Sequence, residues 1–321
     1  MFEKLGTPLF LKEVRGNEEN ARPFSLFKTL LIFLLVYGIA NFLQGVFLTP
    51  VVLVVLFSSE GVWELFSDAT ALEDGRLEAL TERMLRSDAV LVATLVATAA
   101  VIVCAVFYCR LVEKRSFLSM GIRKKDALPS ALAGAGTALL LLLLALLFGT
   151  VFGAVSLDGL GKVRPGLLLL LFLGFLVQGF AEEVLFRGYL MTSLSRGTSL
   201  FSAMVISSLL FSFFHRANAG VTPLAFLNLF LFGILASLYM IRGGNLFGAA
   251  ALHALWNIGE GLILGSPVSG ELLPTSLLSL SLAEDAALLH GGAFGLEGGI
   301  AVTFALTLGI AVLAMMKTRE N

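Results

Sequence analysis

Two adjacent glutamates and an arginine, Glu182, Glu183 and Arg187, sit inside a stretch that is otherwise close to hydrocarbon. From Leu167 to Val177 almost nothing is polar. Charged side chains at membrane depth cost roughly 2.5–3.5 kcal/mol each on insertion scales, so they are seldom idle. On a helix Glu183 and Arg187 are four apart with the acid first, the favourable order for an ion pair. Glu182 points about 100° away and cannot share that arginine equally. The pattern predicts one neutralised glutamate and one available glutamate, which is how a general base is prepared. A buried structural salt bridge would explain Glu183 and Arg187 as well, since such pairs also fix helix packing. It would not explain Glu182.

The rest of the chain says what surrounds that stretch. Of 321 residues, 57% are hydrophobic and 14% charged, and the mean hydropathy is +0.92. Soluble domains carry roughly 25% charged residues. The chain therefore reads as an all-α, polytopic transmembrane helical bundle. A net charge of −1 gives no global attraction to nucleic acid. Cys104 and Cys109 lie in one apolar segment and suggest neither a disulfide framework nor a metal site.

Apolar runs divide the chain into about eight spans. A polar tail, residues 1–26, precedes the first, which covers 27–57 with Pro50 as a candidate kink. That run is too long for a signal-peptide core and reads as a retained span. An acidic segment, Glu60 to Asp88, with Trp63, Leu65, Phe66, Leu72, Leu77, Leu80 and Met84, reads as an amphipathic helical loop. Further spans follow at 89–111, 131–155, 167–194, 200–215, 223–241, 246–264 and 300–316. Residues 27–165 thus hold spans one to three. Residues 166–264 hold spans four to seven, and 265–321 hold a long loop, 266–299, and the last span. All form one membrane domain. Lys and Arg number sixteen on the side of the termini and six on the other. The positive-inside rule places both termini in the cytoplasm of a multi-pass protein of the cell membrane.

Depth arithmetic brings distant polar residues together. Glu182 lies twelve residues, about 18 Å, from the turn after Leu194; His215 lies fifteen residues, about 22 Å, from Leu200. His253 is about 12 Å past the turn at Gly244. His253 and Asn257 share a helical face. Glu182, His215, His253 and Asn257 therefore fall in one layer of a polar cavity between spans four and seven, expected to open toward the cytoplasm. Phe211 reads as packing beside His215. Asn228 either bonds a helix neighbour or lines the cavity. His290, in the long loop, reads as solvated. Glu260 extends the His253 face; it either reaches the cavity wall or, as its place about 6 Å from the end of its span favours, lies near the outer headgroups.

Three motifs in order, Glu182-Glu183-Val184-Leu185-Phe186-Arg187 (EExxxR), Phe211 to His215 (FxxxH) and His253 to Asn257 (HxxxN), resemble the CAAX-protease and bacteriocin-processing (Abi) family of intramembrane proteases. The resemblance covers Gly166 to Leu264. It implies hydrolysis of a peptide bond in a membrane-associated protein or peptide. Glu182 would activate the water, assisted by His215. His253 and Asn257 would stabilise the oxyanion, and Glu183 and Arg187 would support the fourth span. No Ser or Cys nucleophile with a base partner stands out in the spans. The family is commonly named metalloprotease, so zinc on Glu182, His215 and His253 is an alternative; HExxH is absent, and the expectation leans to metal-free chemistry with no cofactor firmly implied. The bilayer is the other partner, and no nucleic-acid partner is implied. Two other readings compete. Intramembrane Glu, His and Arg also make the proton relays of transporters, although no motif segment repeats in two halves. A non-catalytic scaffold or immunity protein of the same fold is the third, and the intact polar set speaks against it.

Overall fold

The structure is a computed structural model that describes residues 8–15, 24–59, 62 and 75–316. Ten helices carry the description. α1 is Leu9–Arg15, α2 Leu26–Phe57, and α3 Arg76–Leu85. α4 covers Asp88–Val112 and α5 Ala127–Val151. α6 runs Pro165–Leu194, α7 Leu200–Phe214, α8 Pro223–Gly243, α9 Leu246–Ile263 and α10 Ile300–Met315. Six of them, α2, α4, α5, α6, α8 and α9, are long and apolar enough to cross a membrane. The fifth and eighth expected spans correspond to α7 and α10, which are apolar but shorter, at 15 and 16 residues. At 1.5 Å per residue they reach about 22–24 Å, against a hydrocarbon core of about 30 Å.

Local sequence sets the helix starts. Ser199 caps α7 by accepting from the Ser202 amide, and Thr222 caps α8 ahead of Pro223 in its first turn. Gly244, in the left-handed region, ends α8, and Asn245 then caps α9 through the Phe247 amide. Pro50 lies inside an unbroken α2.

Several boundaries differ from the sequence reading. The third span was expected to reach Val155. α5 instead ends at Val151, Gly153 takes a positive φ of 69°, and Val155–Leu160 leave the helix as strand β1. β1 pairs antiparallel with β2, Leu278–Leu282, with Val155 opposite Leu282 and an irregularity between Leu157 and Gly159. The loop 266–299 is thus tied to the bundle. The N-terminal segment is not wholly a free polar tail either. Phe10, Leu11 and Val14 of α1 are buried, and Arg15 donates to the Ser195 carbonyl at 3.2 Å. Of the expected amphipathic loop, α3 buries Leu80 and Met84 against Val52, Val55 and Leu56 of α2. Trp63, Leu65, Phe66 and Leu72 lie outside the described residues.

The close approach of α6 to α9 is what positions the functional residues. Gly179 faces Ala254, and a Cβ there would lie 2.8 Å from the Ala254 nitrogen. Helix backbones can touch this way only where side chains are absent, as in membrane bundles generally. The same holds for Gly134 of α5, whose added Cβ would be 2.0 Å from the Gly248 carbonyl oxygen of α9. Expected outcome: Gly179→Ala lowers stability in detergent by about 1–3 kcal/mol through overpacking. Gly136→Ala, where an added Cβ meets nothing within 4 Å, leaves it unchanged or improved. Equal melting curves for the two variants would contradict this account of the α6–α9 contact.

Candidate active site

The site is built one turn beyond that contact. Glu183 ends the regular part of α6, and Val184–Met191 continue as wider, π-helical turns. Such widened turns are often found at functional sites. Glu183 and Arg187 are both fully buried, and the Arg187 guanidinium donates to Glu183 Oε1 at 2.7 Å, the ion pair expected from their spacing. The guanidinium also donates to the Gly233 carbonyl of α8 at 3.1 Å and lies 4.7 Å over the Phe211 ring of α7. A third partner had no signature in the sequence. His253 Nδ1, from α9, lies 2.9 Å from the same Glu183 oxygen. The carboxylate, together with the arginine it holds, thereby links α6, α8 and α9.

Glu182 faces the other way, into a cavity. Its Oε2 is buried and has no hydrogen-bond partner among the described residues. It lies 3.9 Å from His215 Nε2 and 3.9 Å from His253 Nε2. Its other oxygen, Oε1, accepts from the Gln178 amide one turn back on α6. Gln178 in turn accepts from Asn257 Nδ2 at 2.9 Å. All four residues proposed from the motifs are thus in one place, and Gln178, absent from the sequence reading, joins them.

The neighbours of the histidines assign their tautomers. His253 Nδ1 faces a carboxylate and His215 Nδ1 faces the Phe211 carbonyl at 2.8 Å, so both Nδ1 atoms carry hydrogen. In the neutral form each Nε2 then holds a lone pair, aimed toward Glu182 Oε2. Phe211, expected only to pack beside His215, meets that ring at a tilt of 45° with centroids 4.7 Å apart and His253 edge-on with centroids 5.8 Å apart. Phe232 meets His253 edge-on at 5.1 Å. These rings fix both imidazoles from the apolar side.

The cavity has a volume of about 470 Å³. Its walls extend beyond spans four to seven: Tyr37, Asn41 and Gln44 of α2 and Leu95 and Thr98 of α4 also line it. Lining residues outside the ten helices, among them Asn218, Ser269, Glu271 and Glu297, come from the segments after α7 and α9. Those segments lie at the end of the bundle opposite the 195–199 turn. His215 is the C-cap of α7, so the polar layer meets the end of a short helix, and parts of the segments 216–222 and 266–299 cover it.

The same cover moves two more residues. Glu260 was placed near the outer headgroups but is fully buried, its Oε1 accepting from the Glu297 amide at 3.1 Å. His290 was read as solvated but is 4% exposed, with Nε2 2.9 Å from the Ala283 carbonyl. Glu297 was not singled out at all. It accepts from Trp256 Nε1 at 3.0 Å and from the Ser269 amide and hydroxyl at 2.9 and 2.6 Å. Asn228 bonds a helix neighbour rather than lining the main cavity: it donates to the Glu297 and Gly299 carbonyls and accepts from Thr303 of α10.

A zinc ion on Glu182, His215 and His253 would need ligand atoms about 3.3 Å apart, from bonds of about 2.0 Å in tetrahedral geometry. The two separations to Glu182 Oε2 are 3.9 Å. No group of three His, Cys, Asp or Glu among the described residues is arranged to hold a metal. The residues as placed do not fit zinc. They do fit a water molecule. About 2.8 Å from Glu182 Oε2 and from one Nε2, it would see them at roughly 90°.

Expected outcome: Glu183→Gln leaves Arg187 buried without its counter-charge and destabilises the protein by about 3–5 kcal/mol. Thermal unfolding in detergent checks this, and Glu183→Gln/Arg187→Met recovers part of the loss. Wild-type stability in the single variant would contradict a central role for the pair.

Residues 164–259 match the family model described as type II CAAX prenyl endopeptidase Rce1-like. A search of the curated proteins finds no match. The match contains Glu182, Glu183, Arg187, Phe211, His215, His253 and Asn257, and leaves out Glu260, Glu297 and the α2 wall of the cavity. It is in this segment, about 30% of the chain, which carries every motif residue of the site, that the chain is similar to the type II CAAX prenyl endopeptidases.

Proposed function

We propose that this multi-pass membrane protein is an intramembrane endopeptidase that cleaves a membrane-associated protein or peptide by direct attack of a water activated by Glu182. The observation that carries the reading is the position of Glu182 Oε2. It is a buried carboxylate oxygen with no hydrogen-bond partner among the described residues, 3.9 Å from each of two imidazole nitrogens, inside a cavity bounded by membrane helices.

Hydrolysis of a peptide bond needs a base for water and donors for the developing charge. Water held between Glu182 Oε2 and His215 Nε2 donates its two hydrogens to them. Glu182 takes one proton as the oxygen attacks the carbonyl carbon. The oxyanion is met by His253 and Asn257. In its imidazolium form His253 donates from both nitrogens, Nδ1–H to Glu183 and Nε2–H to the substrate oxygen. Glu183 is the counter-ion for that charge, and Arg187 keeps Glu183 in place. Asn257 Nδ2 has two hydrogens, one bonded to Gln178 and one uncommitted. Glu182 then passes its proton to the leaving amine. Burial from bulk water strengthens each of these interactions.

The family match supports a substrate reading of a peptide near the C-terminus of a lipid-modified protein, of the CAAX type, presented from the membrane. The site stands at the far end of α7 from the 195–199 turn.

Expected outcome: comparing membrane peptides from cells carrying wild-type protein with cells carrying Glu182→Gln shows cleavage products in the first set alone. The variant protein is present at normal level, because Glu182 is not part of the Glu183–Arg187 pair. Removing a general base lowers the rate roughly 10²–10⁴-fold. Identical peptide sets would remove the endopeptidase reading. Full cleavage by Glu182→Gln would keep the protease and remove this mechanism.

A further inference from the structure

We infer that Gln178 is a positioning residue of the site: it binds one oxygen of Glu182, is itself oriented by Asn257, and so leaves the other oxygen free to act on water. The inference rests on the reading of Glu182 as base, and it concerns a residue outside the three motifs.

Gln178 stands one turn before Glu182 on the same face of α6 and lines the same cavity. Its side chain makes two bonds, to Glu182 Oε1 and from Asn257 Nδ2. Amide orientation is normally an assignment, but here the chemistry decides it. An ionised carboxylate only accepts, so Gln178 must present its NH₂ to Glu182. Its carbonyl oxygen is then turned to α9, where Asn257 must donate. The direction of the relay is fixed from end to end: Asn257 to Gln178 to Glu182.

The consequence is a difference between the two carboxylate oxygens. Oε1 is held by a neutral donor. Oε2 is left between two imidazole nitrogens with no partner among the described residues. Rotation of the carboxylate would break the Gln178 bond, so Oε2 stays where an attacking water would sit. The bond also crosses from α6 to α9, next to the Gly179–Ala254 contact, and ties the distance between Glu182 and His253 to helix packing. This gives Asn257 a second task besides the oxyanion, one that the substrate-free protein already performs.

The test uses full-length protein with ¹³C in its glutamate carboxyl groups, in detergent micelles. The resonance missing from Glu182→Gln belongs to Glu182. It is expected to shift in Gln178→Met, which keeps the size of the side chain and removes its polar atoms. It is expected to shift also in Asn257→Ala. In the Gln178→Met background, Asn257→Ala then adds no further shift. An unmoved Glu182 resonance in Gln178→Met overturns the proposal. Should that variant not fold, an unmoved resonance in Asn257→Ala overturns it equally. A rate measurement runs beside it, with an internally quenched, prenylated CAAX peptide in proteoliposomes. Loss of a hydrogen bond to a charged group predicts a kcat about ten- to a hundredfold lower for Gln178→Met, with KM unchanged. A loss seen only in KM would assign Gln178 to substrate binding and overturn the positioning role. Wild-type protein that leaves the peptide intact would count against the proteolytic reading. The resonance test of the relay would stand apart from it.

Discussion

The Glu183 carboxylate is the interaction on which the rest depends. It receives Arg187 from its own helix and His253 from α9, and Arg187 reaches on to the α8 backbone. Without that carboxylate an arginine would be buried beside phenylalanines with no counter-charge. Without the arginine two adjacent glutamates would repel each other in a low dielectric. The division of labour between neighbours follows from helix geometry alone. At about 100° per residue, Glu183 turns into the packed centre and Glu182 into the cavity. One acid holds three helices; the other is left with an oxygen to use.

Much of this was legible because the signals were local or costly. An i, i+4 ion pair in an apolar run can be read from spacing, and it is present at 2.7 Å. The meeting of Glu182 with His215 and His253 could be reached from helix rise and turn positions, since antiparallel helices convert residue counts into depth. The family match over 164–259 covers the same three motifs.

What was not legible depended on partners distant in sequence. The His253–Glu183 bond joins residues 70 apart and the Asn257–Gln178 bond residues 79 apart. Gln178 alone in an apolar helix carried little weight beside two glutamates. The greatest departure is the segment 266–299, whose Leu, Ser and Gly composition reads as a loop. In the structure Glu297 draws it inward to Trp256 of α9, while β2 holds it to β1. Counting from the end of α9 therefore placed Glu260 at the surface, although the chain folds back over it.

The central claim is that water activated by Glu182 attacks the peptide carbonyl directly. A single turnover in H₂¹⁸O tests it, with enzyme in excess over a cleavable peptide and mass spectrometry of both partners. Direct attack places one ¹⁸O in the new carboxyl group of the product at the first turnover and none in Glu182. A first-turnover product without the label, with ¹⁸O appearing in the Glu182 carboxylate, would show a covalent acyl intermediate and contradict the account.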